Sequence, residues 1–109
     1  MGKFAQTQEP PYYAVIFTTV KSENQTGYAE MNARMFELAQ QQKGYLGIES
    51  ARGEIINLSV TYWETLEDIA RWKNHVAHLA AQKKGYETWY QAFATRVCLV
   101  ERDHFFERE

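Results

Sequence analysis

The nine residues YYAVIFTTV, Tyr12 to Val20, are apolar, aromatic or β-branched at every position. Such residues fit a pleated strand, and a run of this length predicts one. Strand side chains alternate between faces. Tyr12, Ala14, Ile16 and Val20 therefore point one way, and Tyr13, Val15 and Phe17 point the other. A strand greasy on both sides has to lie between two layers. That demand constrains the fold more than any other feature of the chain.

The segments that follow limit what those layers are. SENQTG is a turn offering Ser22, Asn24 or Thr26 as a helix cap, and the period then becomes helical. Tyr28, Met31, Met35 and Leu38 follow i, i+3, i+7, i+10, one face of an amphipathic helix that Gly44 stops. YLGIESAR and IINLSVTYW are two strands, and a Gly53-Glu54 loop between them predicts a type II′ hairpin. Thr65 opens a second helix, with Asp68 three residues on as a capping-box variant, running to about Gln82. YETWYQAF reads either as a short helix or as an aromatic loop. ATRVCLVERDHFF closes the chain as a strand.

Strand, helix, strand, strand, helix, strand is the α+β, ferredoxin-like βαββαβ order. It predicts a four-stranded antiparallel sheet with both helices on one face. The other face needs cover for its side of the first strand. A single domain of 109 residues has no third layer to give. The expected cover is a second copy of the chain, sheet to sheet, as a symmetric homodimer. Residues 1–11 are polar and end at Pro10-Pro11, so they predict a disordered leader before one domain over 12–109.

Composition narrows the function classes. Net charge is −2, with no run of Lys or Arg longer than two, so no basic field invites nucleic acid. No stretch has the length and apolarity of a membrane helix, and the N-terminus lacks a signal-peptide core. A soluble, cytoplasmic protein is expected. The single cysteine, Cys98, sits among Val97, Leu99 and Val100 and reads as a buried thiol. Aromatics reach 15%, a surplus that suggests a wide interface, an internal pocket, or both.

The second helix carries the richest candidates. On a continuous wheel, Ile69, Trp72, Val76 and Leu79 form a buried stripe, and Arg71, His75, His78 and Gln82 a polar stripe beside it. That stripe is either a polar shoulder of the core or the wall of a cleft. Histidine titrates near neutral pH and passes protons. Trp72 next to it offers a flat surface for a planar substrate. His75 and His78 could share a metal ion, but zinc needs three or four protein ligands and no companion cluster is present, so no metal is expected. Tyr62 and Trp63 end the third strand, and Trp63 reads as core or interface. Trp89 and Tyr90 form either a lid or a plug at the sheet end. Arg96 stands among apolar strand residues and needs a partner. That partner is Glu49, Glu64 or Glu101, or else a substrate anion.

KGYLGIES, LSVTYWETLEDIARWKNHVAHLAAQKKG and TRVCLVERDHFF together resemble the antibiotic biosynthesis monooxygenase family. The resemblance runs from about 12 to 105. It implies a dimeric α+β barrel, two ferredoxin-like copies joined through their sheets, with a pocket between sheet and helices in each. Some members oxygenate polycyclic aromatic phenols or quinols without metal or flavin, the substrate anion itself activating O₂. By position, Trp72, His78 and Gln82 fall on the family's helix motif. Arg96 falls on a basic residue of its last strand, and His75 lies outside the motif. Haem-degrading relatives use a first-strand Asn, a helix Trp and a His ten residues further on. Here Phe17 and Thr18 stand on the first strand and Gln82 follows Trp72 by ten.

The expectation is a cofactor-independent monooxygenase acting on a small or polycyclic aromatic phenol or quinol. His78 would accept the proton and Arg96 would stabilise the oxyanion. Trp72, His75, Gln82, Tyr62 and Trp89 would line the substrate site. The alternative is a non-catalytic ligand-binding dimer of the same fold, and a haem-handling protein stands third.

Overall fold

The computed structural model describes residues 4–108. Its elements are β1 (Tyr12–Lys21), α1 (Tyr28–Gln40), β2 (Tyr45–Arg52), β3 (Ile56–Trp63), α2 (Leu66–Lys73), α3 (Val76–Lys84), a π-helical turn (Gly85–Trp89) and β4 (Tyr90–Val100). The four strands form one antiparallel sheet in the order β2-β3-β1-β4. This is the ferredoxin-like order, with the doubly apolar β1 in the interior of the sheet as its composition requires. No helix among the described residues is long and apolar enough to cross a membrane.

Register assigns every strand residue to a face. Tyr13 lies opposite Trp63 on β3 and Leu99 on β4; Ala14 lies opposite Tyr62 and Cys98; Ile16 lies opposite Val60 and Arg96. The core forms where the helices meet the Trp63 side. Trp63, Trp72 of α2 and Ala39 of α1 are its buried centre, with Val15, Met35, Leu38, Tyr45 and Ile69 packed around them. Trp63 is 1% exposed, and an indole buried this fully removes a large apolar area from water, a major contribution to the core. The face bearing Ala14, Ile16, Tyr62 and Arg96 has no helix on it. There Leu58 and Ile56 remain 42% and 51% exposed, and Cys98 is half-buried.

The terminal segments lie across one end of that open face. The Ala5 amide donates to Glu49 Oε2 at 2.9 Å, and the Tyr12 hydroxyl donates to Asp103 Oδ2 at 2.6 Å. Phe4 meets Phe105 with ring centroids 5.9 Å apart. The leader is thus tied to the sheet from Phe4 onward; residues 1–3 lie outside the described residues.

Three local readings change. The loop between β2 and β3 is Gly53–Ile55, and Gly53 donates its amide to Ile56 O at 2.9 Å, so the turn tip lies one residue later than the Gly53-Glu54 reading. The cap of α1 is Gly27, at φ 82°, and not Ser22, Asn24 or Thr26. The second helix is two helices. Asn74 ends α2, and His75 (φ −63°, ψ 136°) is extended and caps α3 through Nδ1, which accepts from the Ala77 amide at 3.2 Å. Thr65 does cap α2, accepting from the Asp68 amide at 3.0 Å. Gly44 is held at φ 84° in the turn into β2, and a Cβ there would stand 1.9 Å from Asp68 Oδ2. Only glycine satisfies both conditions.

Candidate functional site

The break at His75 rotates α3 relative to α2, so the continuous wheel fails beyond Trp72. Val76 is 81% exposed and Leu79 44%, although both were expected in the buried stripe. The same break brings His78 back over Trp72. Their rings stack with centroids 4.5 Å apart and planes 12° from parallel. His75 meets the same indole at 5.5 Å and 45°. Trp72 therefore spends a ring face on His78 rather than offering it to a substrate.

His78 Nδ1 lies 3.0 Å from the Trp72 carbonyl oxygen. A carbonyl only accepts, so Nδ1 carries the hydrogen, and in the neutral ring the lone pair sits on Nε2. Burial pushes this imidazole below its ordinary value; the carbonyl bond opposes that shift and the nearby His75 reinforces it. The group is a neutral, oriented base with its tautomer fixed by the backbone of the preceding helix.

The remaining candidates divide. Gln82 is near the same helix junction, its Nε2 donating to Lys73 O at 3.3 Å. Trp89 is a plug: it is buried, its Nε1 donates to Thr26 O at 2.8 Å, and its ring meets Tyr28 edge-on at 5.4 Å. Tyr62 and Arg96 stand on the open face, across the sheet from Trp72 and His78. This corrects the single cluster drawn from the sequence. Strand alternation puts Tyr62 opposite in direction to Trp63, and Arg96 shares a face with Ile16 and Val60. Glu49, proposed as a partner for Arg96, is engaged by Tyr62 (2.7 Å) and the Ala5 amide. The one ion pair among the described residues is Arg71 with Asp68, at 2.7 Å.

On the open face, Tyr62 and Tyr12 meet edge to face at 5.9 Å. Burial, and then the bond to the Glu49 carboxylate, raise the Tyr62 hydroxyl; burial and Asp103 do the same to Tyr12. Together with Phe4, Glu49, Asp103 and Phe105 they line a cavity of about 330 Å³ under the terminal segments.

The helix-facing side holds a second aromatic group toward the far end of β1. Phe17 contacts Tyr90 and Phe93 at 5.7 and 5.6 Å, Tyr90 contacts Tyr28 at 6.3 Å, and Tyr86 contacts Phe93 at 5.1 Å. Burial, then Tyr28, raises the Tyr90 hydroxyl. Beside these rings, Thr19 and Asn57 lie opposite each other on β1 and β3, buried to 3% and 9% exposure. Thr19 Oγ1 and Asn57 Oδ1 have no hydrogen-bond partner among the described residues. Neither residue stands out in the sequence. The β1–β3 register is what brings them together. No group of three or more His, Cys, Asp or Glu that could hold a metal ion occurs among the described residues.

A model of the antibiotic biosynthesis monooxygenase family matches residues 11–84. The chain belongs to that family. YqjZ of Bacillus subtilis (strain 168), an uncharacterised protein, is 46% identical over 108 residues, which is 98% of this chain and 95% of the relative. Among solved structures, Rv0793 of Mycobacterium tuberculosis superposes with a TM-score of 0.73 at 10% identity, covering 85% of this chain and 97% of its own. SnoaB, a cofactor-independent oxygenase of Streptomyces nogalater, superposes with a TM-score of 0.68 at 9% identity, covering 91% and 100%. At these identities the two structures share the family's fold with this chain and no more.

Proposed function

We propose that the protein is a cofactor-independent monooxygenase of aromatic phenols or quinols, working on the helix-facing side of the sheet as a homodimer. The observation that carries the reading is the stacked His78–Trp72 pair, which holds a neutral imidazole with its lone pair on Nε2. Such a base can take a phenolic proton at neutral pH. The phenolate then gives one electron to O₂, and the resulting radical and superoxide combine at a ring carbon as a hydroperoxide. Loss of water leaves a new carbonyl. One oxygen atom enters the product, and the other leaves as water with electrons and protons from the substrate. The family, and the fold shared with an oxygenase described as cofactor-independent, support this chemistry.

In this reading Trp72 positions His78, and the rings of Phe17, Tyr90 and Phe93 hold the substrate. Gln82 and His75 fix the helix junction. Arg96 and Tyr62 belong to the sheet face on which the second copy packs. The exposed apolar residues of that face and the two-sided strand β1 support the dimer. The lone, half-buried Cys98 fits a reducing cytoplasm.

The test is oxygen uptake with a panel of quinols. His78→Ala is expected to lower it at least tenfold while the dimer stays intact in light scattering. Unchanged turnover would remove His78 from the mechanism. Ligand-induced thermal shifts without any oxygen uptake in the parent protein would make it a non-catalytic binding dimer instead.

A further inference from the structure

The cavity of about 330 Å³ at the Tyr12 end of the open face takes no part in the proposed chemistry. Both chain ends help to build it. Ala5 seats against β2 where Gly47 leaves room, since a Cβ there would stand 2.7 Å from Ala5 Cβ. Phe4 and Phe105 pair from the two ends, Tyr12 and Tyr62 pair from the sheet, and all four line the cavity. Phe4 and Phe105 are still 42% and 54% exposed. Two acidic side chains, Glu49 and Asp103, line the same space, and no Lys or Arg does. Their hydrogen bonds are matched, with Tyr62 on Glu49 at 2.7 Å and Tyr12 on Asp103 at 2.6 Å. Their charge is not. The one ion pair among the described residues is Arg71 with Asp68. Burial first, and then the neighbouring carboxylate, raise both phenols, so each stays a neutral donor and cancels no charge.

A sheltered carboxylate with no counter-charge is costly. An ammonium group offsets that cost by attraction and by charge-assisted N–H bonds to lone pairs the carboxylates still hold. Aromatic faces attract the same charge. Phe106, another lining ring, already carries the Arg108 guanidinium 5.3 Å from its centroid, and Arg108 itself does not line the cavity. An anion would meet two like charges. We infer that this cavity binds a small aromatic amine in its ammonium form, with the charge at Glu49 and Asp103 and the ring among Phe4, Phe105, Tyr12 and Tyr62. Its volume is at the low end for ligand pockets, which suits one ring rather than a fused system. The exposed Leu58 and Ile56 lie opposite Thr18 and Val20, toward the other end of β1, so the most apolar part of the proposed dimer contact is elsewhere on this face. The site is across the sheet from His78 and is independent of the monooxygenase reading.

Benzylammonium, benzyl alcohol and benzoate share a shape and differ in charge. Each is titrated by calorimetry at neutral pH against the full chain, which includes Lys3, outside the described residues. Benzylammonium is expected to bind at least about tenfold tighter than benzyl alcohol, and benzoate more weakly than either. Glu49→Gln and Asp103→Asn keep the size and an acceptor oxygen. Each is expected to cut benzylammonium affinity at least about fivefold while changing benzyl alcohol affinity less than about twofold. Equal binding of benzylammonium and benzyl alcohol, or a preference that survives both substitutions, would overturn the site. So would binding of none of the three, which would mean that Lys3 or a second copy already supplies the cation. Were Glu49→Gln to release Ala5 and the leader with it, Asp103→Asn would decide the matter alone. The oxygen-uptake experiment is untouched by any of these results.

Discussion

Tyr62 and Trp63 are chain neighbours on β3, and they belong to opposite sides of the sheet. Around Tyr62, the polar atoms are matched. Its hydroxyl is on Glu49, Glu49 also takes the Ala5 amide, and Tyr12 bridges Thr7 and Asp103. On the Trp63 side, a dense apolar centre grades into a region where His78 offers a lone pair and two buried oxygens stand alone. Unfilled hydrogen-bonding capacity costs folding free energy, about 1–3 kcal/mol per buried group. A side of the sheet that carries this cost is the better candidate for chemistry than one that has resolved it. The open face instead combines a satisfied polar rim with exposed Leu58 and Ile56, the makeup of an interface.

The sharpest way to break the contrast is to truncate the two neighbours. Trp63→Ala removes the most buried side chain of the core. It is expected to cost about 3–5 kcal/mol, measured by urea unfolding at fixed protein concentration. A loss under about 1 kcal/mol would mean that the helices do not depend on this face. The open face should respond through assembly instead. Ile16→Glu places a charge in the middle of the proposed dimer contact, opposite Val60 and Arg96. It is expected to halve the mass seen in light scattering while circular dichroism stays that of the parent. A variant that stays dimeric would move the interface elsewhere. Smaller still, Tyr62→Phe removes one hydroxyl bond to Glu49 and is expected to cost about 1 kcal/mol, with quinol turnover unchanged. A large loss of turnover there would return the open face to the catalytic account.

The sequence carried the architecture because strand alternation and helical period are local signals. β2 falls on YLGIESAR as drawn, β1 extends the predicted strand by one residue, and the stripe Tyr28, Met31, Met35, Leu38 is half-buried throughout. The site was harder to read. A wheel assumes an unbroken helix, and ARWKNHVAHLAAQKKG is broken by Asn74-His75. That dipeptide held a usable cue. Asn and Asp caps work by offering a side-chain acceptor to free amides, and a neutral His75 Nδ1 does the same for Ala77. Arg96 was grouped with His78 because it falls on a basic residue of the family's last strand, but the β1–β4 register puts Leu99 opposite Tyr13 and so Arg96, three residues earlier, on the other face. Thr19 and Asn57 were invisible, since a long-range register brings them together and no local pattern marks either.

The smallest effect distinguishes a base from a shoulder of the core. If His78 is packed and oriented as its contact with Trp72 implies, its folded-state pKa lies below the ordinary value of about 6.5. The neutral form then has the advantage in the folded protein. Stability from this group is complete above about pH 6.5 and is lost as pH falls toward the lower folded value, because the unfolded chain takes up the proton first. Activity should follow the same group, so quinol turnover is expected to persist below pH 6.5 and fall only on a more acidic limb. Following the His78 Hε1 resonance with pH gives the value directly. Trp72→Leu removes the stacked ring and admits water, and is expected to move that titration back up toward 6.5, with the acid limb of turnover moving alongside it. A His78 that titrates at 6.5 in the parent protein, or an acid limb that ignores Trp72→Leu, would leave the stack as packing and give the two sides of the sheet the same standing.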